Sequence, residues 1–410
     1  MEVLELTQSL VAIDSQNPGP LEPAVAGFVL DWAGERGFAT ETIEVRAGRP
    51  NVVVTADRGP GPRLGLSGHL DTKPVGDALA LWDTDPLELT VVGDLAYGLG
   101  ATDMKGAVAA MMVALERFAA RPGAGSLSLV LTADEEQGSD AGAKALAETG
   151  RVPRLDALVI GEPSGIDEPW EALHLVSRGI CCFEVEVVTR QGHSGLSPRL
   201  GRNATLVAGD LLRAFESFRP TVSHPGAVPA TPTVNPGIFV SAGVSWGTWP
   251  GSCRVGVEIR LVPGMDRDTV RAEVDAFVRA NLPEEADYRI HYVPSGQGWM
   301  PAVELAPDTP VAIAALGAAE EVLGRRLPVA AFPGGTDATY FLGAGGIPTV
   351  TSLGPGWISV AHGANECVGV GQLTEAADLY TRLAELFSAG RGAEARPMVA
   401  ATPAREGSAR

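Results

Sequence analysis

Basic residues, cysteines and long apolar runs are all scarce in this chain. Lys and Arg total 31 against 50 Asp and Glu, a formal charge of −19. Nucleic-acid binding needs a basic face, so that class of function is disfavoured. No stretch approaches the ~18 uninterrupted apolar residues of a membrane helix. The opening MEVLELTQSL places two glutamates where a secretory leader is basic, and it lacks an apolar core, so no secretory signal is expected. There are four cysteines. Cys181 and Cys182 are adjacent in a strand-like run and point to opposite faces. Cys253 and Cys367 stand alone, and no CxxC pattern occurs. Reduced thiols and a cytoplasmic location are the expectation.

What is present describes an ordinary globular chain, 45% hydrophobic and 20% charged. At 410 residues it exceeds the length at which single cores stop growing, so more than one domain is expected. Residues 1–37 read as helices, with Val25, Phe28, Val29 and Trp32 on one face. Short strands follow at 39–46 and 51–56, then a Gly/Pro turn and a buried strand ending near Leu70. An Ala-rich helix spans 104–118. Strands at 127–131 and 155–160 alternate with it and with a short helix at 139–148. This alternation predicts an α/β fold with a mainly parallel sheet flanked by helices.

The register changes near residue 177. From there the order is strand 180–189, helix 202–218, strands 233–243 and 252–262, helix 267–282 and strand 287–293. That β-α-β-β-α-β order predicts an inserted ferredoxin-like α+β unit. The expected domains are 1–176, the insert 177–293, and a resumption of the first at 294–390. Residues 391–410 lack any period and read as a disordered tail.

Five short stretches carry acids or histidines: SGHLDTKPVGD (67–77), GATDMKG (100–106), TADEEQG (132–138), IGEPSG (160–165) and VAHGANE (360–366). Singly, each has a plain explanation. Asp103 suits a helix N-cap, Glu135 and Glu136 suit a charged loop, Glu162 suits a turn, and His362 suits any loop. Together they follow apolar runs or Gly-rich loops, where open α/β sheets place ligand sites. His69, Asp103, Glu136, Glu162 and His362 supply two imidazoles and three carboxylates. Two divalent ions bring about +4, three carboxylates about −3, and one bridging hydroxide closes the charge. Such ligation without thiolate suits zinc, and also cobalt or manganese. Asp71 is placed to receive the second N–H of His69, or to shape the pocket. Adjacent Glu135 and Glu136 can divide ligation from proton transfer.

These motifs, His-x-Asp at 69–71, GATDMKG, the Glu135-Glu136 pair, GEPS and the late histidine with a nearby glutamate, resemble those of the M20 family of metallopeptidases and deacylases. The resemblance covers roughly residues 5–390. It implies a zinc-exopeptidase-like catalytic domain and two zinc ions per subunit. In it His69 and Glu162 hold one ion, Glu136 and His362 the other, and Asp103 bridges them. It further implies Glu135 as general base and Asp71 behind His69. The insert becomes a lid and homodimerisation domain whose His193, in GHSG, reaches the partner subunit's site and stabilises an oxyanion. Arg260, Asn235, Gly335, Thr336 and, more weakly, Arg178 match positions that hold a substrate's carboxylate and backbone.

The chain departs from the family pattern at Leu99, where Gly-Arg-Gly is usual, at Ala107, where glycine is common, and at Lys73, where the residue is usually apolar. None is expected to touch a predicted ligand, so they bear on substrate contacts near the mouth and not on the metal site. Glu162, rather than Asp, leans toward the deacylases. The resulting expectation is a di-zinc amidohydrolase acting on an N-acyl amino acid. A carboxypeptidase or dipeptidase on a short peptide is the alternative. A non-catalytic metal-binding scaffold is the remote one, since every catalytic position is filled.

Overall fold

The structure, a computed structural model, describes residues 2–18, 22–294 and 298–390. The tail expected to be disordered, 391–410, lies outside these residues. The chain divides into two compact units. One comprises the described residues of Met1–Ser177, Glu304–Phe332 and Thr336–Arg410; the other is Arg178–Val303 with Pro333–Gly335. The second unit runs past residue 293 because Ile180 and Met300 exchange backbone hydrogen bonds of 2.9 and 2.8 Å.

The first unit is built on a six-stranded sheet. Its order is Ala39–Arg46, Arg49–Asp57, Ser126–Thr132, Arg63–His69, Ala157–Ile160, Thr349–Val350. The first two pairings are antiparallel and the other three parallel. The sheet is therefore mixed, with only Arg49–Asp57 running against the other five strands. No helix separates Ala39–Arg46, Arg49–Asp57 and Arg63–His69, so tight turns reverse the chain each time. Strand–helix alternation, and with it parallel pairing, begins only after residue 69.

The central strands are buried on both faces, with Leu64, Leu66, Leu127, Leu129, Leu131 and Leu158 all at 0% exposure. Helix Gly106–Ala119 packs behind them and is apolar around its whole circumference, buried from Gly106 through Leu115. Its approach to the strand end needs Gly68. A Cβ there would lie 2.8 Å from Met104 Cε and 3.0 Å from a Val108 methyl.

The second unit is a four-stranded antiparallel sheet in the order Thr233–Ala242, Ser252–Leu261, Gly179–Val188, Asp287–Tyr292. Helices Ala204–Phe215 and Arg267–Ala280 complete a β-α-β-β-α-β sequence. Along Gly179–Val188, Cys181, Phe183, Val185 and Val187 are buried while Cys182, Glu184 and Glu186 lie on the other face. The buried set packs on Val207, Leu211, Phe215, Val270, Val274 and Val278. Edge strand Thr233–Ala242 leaves Ile238, Phe239 and Val240 exposed. Among the described residues, no helix is long and apolar enough to cross a membrane.

Candidate active site

Three neighbouring parallel strands bring three of the acidic or histidine-bearing stretches to one edge of the first unit's sheet. His69 is the last residue of its strand and pairs with Thr132. Glu135 and Glu136 form the turn just beyond Thr132. Glu162 follows the strand that ends at Ile160. This is the carboxyl edge, where ligands of such sheets bind. Asp103 arrives differently. It sits in an irregular turn between the short strand Leu95–Tyr97 and helix Gly106–Ala119. Its carboxylate does not cap that helix, whose N-cap position is Lys105. His362 comes from a loop and has a left-handed backbone, φ 62°.

The two oxygens of Asp103 face two different imidazoles. Oδ1 is 2.9 Å from His69 Nε2, and Oδ2 is 3.1 Å from His362 Nε2. His69 Nε2 is also 3.6 Å from Glu162 Oε1, and His362 Nε2 is 3.2 Å from Glu136 Oε2. Donor atoms of His69, Asp103 and Glu136 lie within 4.8 Å of one another, and so do those of His69, Glu135 and Glu162. Glu136 is buried, and its Oε1 has no hydrogen-bond partner among the described residues. Glu135 is partly exposed. Imidazole nitrogens and carboxylate oxygens without thiolate form a donor set that divalent metal ions take. The orphaned Glu136 oxygen is the kind of buried acceptor that a cation satisfies.

The electrostatics point the same way. Burial opposes charge on His69, yet its hydrogen bond to Asp103 and the charges of Asp103, Glu162 and Glu135 push its pKa well above the ordinary imidazole value. Burial likewise opposes charge on His362, but Asp103 and Glu136 raise it to about 10. Burial alone would raise Asp103, and the hydrogen bonds from both imidazoles outweigh it and hold the group below the usual carboxylate range. Burial pushes Glu135 and Glu162 well up, helped by neighbouring carboxylates and opposed by His69. Both imidazoles and the carboxyls of Glu135 and Glu162 are pulled toward their protonated forms, while Asp103 between the imidazoles is held ionised, as in a site short of positive charge.

A surrounding layer holds these groups. His69 Nδ1 donates to the main-chain carbonyl of Asp71 at 2.8 Å, which leaves Nε2 unprotonated in the neutral ring and free to ligate. The Asp71 carboxylate is 3.7 Å from that nitrogen. It instead accepts the backbone N–H groups of Glu135 and Glu136, at 3.2 and 3.3 Å. Asp71 therefore shapes the glutamate turn, while its main chain fixes the histidine tautomer. Burial raises its carboxyl to about 6.

Sequence reasoning missed several members of this layer. Asn17 donates to Asp71 at 2.8 Å and to Asp134 at 3.0 Å. Arg49 bonds Asp134 at 3.0 Å and also pairs with Glu22. Glu366 accepts the N–H groups of Gly100, Thr102 and Asp103, each at 2.9 Å, and so holds the turn bearing Asp103. Asp337 accepts the Thr132 hydroxyl at 2.7 Å and also that of Ser139, which ties down both flanks of the Glu135-Glu136 turn. Lys73, expected to touch no predicted ligand, does touch one: its Nζ lies 3.0 Å from Glu136 Oε2, because its long stem reaches back over the Glu135-Glu136 turn. A signal existed for Glu366, four residues after His362 in the same stretch, and for Lys73, within the first one.

The remaining expected residues are placed as follows. In the second unit, Arg260 Nε bonds Glu258 at 2.8 Å, and Asn235 bonds the same oxygen at 3.1 Å. Burial, with the nearby charge of Arg260, lowers the Arg178 pKa. Arg178 Nε is buried and has no partner among the described residues. Exposed His193 accepts the Gly195 N–H on Nδ1 at 3.0 Å. Gly335 packs closely, since a Cβ would meet Met300 Cε at 2.2 Å. Thr336, in the first unit, is 1% exposed, and its hydroxyl accepts the Ala338 N–H at 3.3 Å.

The imidazole–carboxylate cluster at the carboxyl edge of the sheet is a donor set for divalent metal ions, and the family that the chain matches makes it a metal-dependent hydrolase of amide or peptide bonds. The chain belongs to peptidase family M20/M25/M40, whose profile matches residues 65–386. Among solved structures it is similar to an M20 family metallo-carboxypeptidase from Sulfolobus solfataricus, at TM-score 0.75 and 18% identity over 95% of this chain and 100% of that one. The di-peptidase Dug1p of Saccharomyces cerevisiae matches at TM-score 0.75 and 16% identity, over 94% and 96%. A dinuclear metal-binding peptidase of the M20 family from Bacillus subtilis matches at TM-score 0.65 and 17% identity, over 95% and 98%.

Proposed function

We propose that this chain is a di-zinc amidohydrolase that removes the acyl group from an N-acyl amino acid. The observation that carries the reading is the seat of Asp103, with one oxygen 2.9 Å from His69 and the other 3.1 Å from His362. In this reading His69 and Glu162 would hold one ion and Glu136 and His362 the other, with Asp103 a donor to either. Zinc suits the donors, with cobalt or manganese as substitutes. Two bound cations would acidify a water and polarise the scissile carbonyl.

The chain's own residues move the proton. Glu135 is partly exposed, and burial with its neighbouring carboxylates raises its carboxyl, which strengthens it as a proton acceptor. It takes a proton as the water oxygen attacks the amide carbon. It returns that proton to nitrogen as the C–N bond breaks, leaving a carboxylic acid and an amine, and the acid's remaining proton passes to the amine to give carboxylate and ammonium. Asp71 keeps Glu135 in place through its backbone N–H. Arg260, Asn235 and Arg178 take the substrate's carboxylate. The buried, unpartnered Arg178 Nε supports an anion there. Gly335 and Thr336 line the substrate backbone. His193 keeps its proton on Nε2 when neutral, because Nδ1 accepts from Gly195. That is the form of an oxyanion donor offered to a partner subunit. The exposed apolar edge strand Thr233–Ala242 supports the second unit as lid and homodimer contact. The cytoplasm is the proposed location.

The test is a panel of N-acetyl-, N-succinyl- and N-carbamoyl-amino acids alongside dipeptides, before and after chelation. Acyl amino acids are expected to turn over fastest, with activity lost on chelation and restored by zinc. Faster cleavage of dipeptides would replace this reading with the dipeptidase or carboxypeptidase one. A zinc-loaded protein inert to the whole panel would return the scaffold reading.

A further inference from the structure

We infer that Lys73 makes the two cation positions of this cluster unequal, as a resident positive charge competing with the ion at the Glu136–His362 end. The inference rests on the metal reading above. Lys73 Nζ lies 3.0 Å from Glu136 Oε2 and also bonds the Glu136 main-chain carbonyl. The same Oε2 is 3.2 Å from His362 Nε2. One buried oxygen thus serves an ammonium and an imidazole, and an ion bound there must share it with the ammonium or displace it. The other end carries no such competitor. Among the described residues, no Lys or Arg side chain pairs with Glu162 or with Asp103.

Charge of like sign a few ångströms from a divalent ion weakens its binding strongly inside a protein, by about tenfold or more at the effective dielectric of such sites. The lysine is also free to yield. Its side chain is 31% exposed against 3% for Glu136. A flexible four-carbon stem lets the ammonium swing toward water as an ion enters. The Glu136–His362 ion is then the weaker and more readily exchanged of the two, and the His69–Glu162 ion is the resident one.

The test titrates zinc into the metal-stripped full chain by calorimetry, comparing wild type with Lys73→Met and Lys73→Arg. Unfolding midpoints in chelator check that each variant is folded. Two binding steps are expected in wild type. In Lys73→Met the weaker step tightens about tenfold while the tighter step moves less than twofold; Lys73→Arg behaves as wild type. A weaker step unmoved in Lys73→Met overturns the inference, as do two steps that shift equally. A raised KM with both steps unmoved also overturns it, by making Lys73 a substrate contact. Wild type that takes up no zinc at all overturns the metal reading itself.

Discussion

The two ends of the cluster are built by different means. His69 closes a central strand, is 2% exposed, and has Nδ1 fixed by a main-chain carbonyl. Glu162 beside it is 4% exposed, and its carbonyl accepts the Ser352 hydroxyl at 3.1 Å. His362 rides on a loop at φ 62° with its side chain 46% exposed, and it shares Glu136 with Lys73. Strand ends hold side chains more tightly than loops do. One end is therefore preorganised by the sheet, and the other takes its order from the groups it meets. Asp103 joins them because Glu366 pins the turn that carries it.

The largest effect tests whether the difference between the ends concerns only ion holding. Glu135→Ala should lower kcat by roughly 10²–10⁴-fold, the range of a lost general base. Zinc content and the unfolding midpoint should stay near wild type. The result to watch for is loss of one ion. Glu135 has an oxygen within 4.8 Å of donor atoms of His69 and Glu162. Loss of the tighter ion would make it a ligand of the buried end, and turnover at the wild-type rate would remove it from the mechanism.

Asn17 sharpens the same contrast. Its amide bridges Asp71 and Asp134, both buried, through hydrogen bonds of 2.8 and 3.0 Å. Asn17→Ala leaves two buried carboxylates short of a donor, and Asp71 is the one that positions both glutamates. Hydrogen bonds to charged groups contribute about 1.5–3 kcal/mol each, so a stability loss of about 3 kcal/mol is expected from denaturant unfolding. The weaker zinc step, which uses Glu136, should weaken further by about 10–100-fold, as when a supporting partner is removed. The tighter step should move less. Equal weakening of both would show that the two ends draw on one support.

Much of this was legible before the fold. Apolar alternation located the strands, and the Ala-rich run located helix Gly106–Ala119 to within two residues. His69, Asp103, Glu136, Glu162 and His362 were legible because each stretch pairs a distinctive acid or histidine with glycines. The one antiparallel strand, Arg49–Asp57, was not read, although the signal was there: no helical period separates residues 46, 49 and 63. Asn17 and Arg49 gave no signal, and Asp134 lay within the TADEEQG stretch without being given a role. Each is a single polar residue in a loop or at a strand start, and its role exists only across separations such as the 117 positions between Asn17 and Asp134. Asp71 was singled out, but which part of it touches His69 depends on a backbone angle that no pattern encodes.

The smallest effect uses acid to separate the ends. His174, in strand Leu173–Ser177, is 2% exposed and meets Phe332 edge-on at 5.4 Å. Its Nδ1 lies 3.3 Å from the Ser352 hydroxyl, which donates to the carbonyls of Glu162 and Pro163. The imidazole thus backs the buried end. Burial lowers its pKa to about 4, with Glu171 opposing. The folded chain keeps the ring neutral, whereas the unfolded chain protonates it below about 6.5. His174 therefore costs nothing above about pH 7 and destabilises the fold progressively as pH falls from 6.5 toward 4. The loss from this group is about 2 kcal/mol by pH 5. Comparing wild type with His174→Asn in urea isolates it, because every other titrating group is common to both. The stability of wild type relative to the variant should fall by about 2 kcal/mol between pH 7.5 and pH 5. His362 works in the opposite sense in the metal-free chain. Its pKa is raised, so its ion pairs are complete below about 6.5 and are lost only as pH rises toward 10. Acid should therefore loosen the buried end first and leave the loop end intact, and parallel pH slopes for wild type and His174→Asn would show that the backing of Glu162 does not depend on a neutral ring.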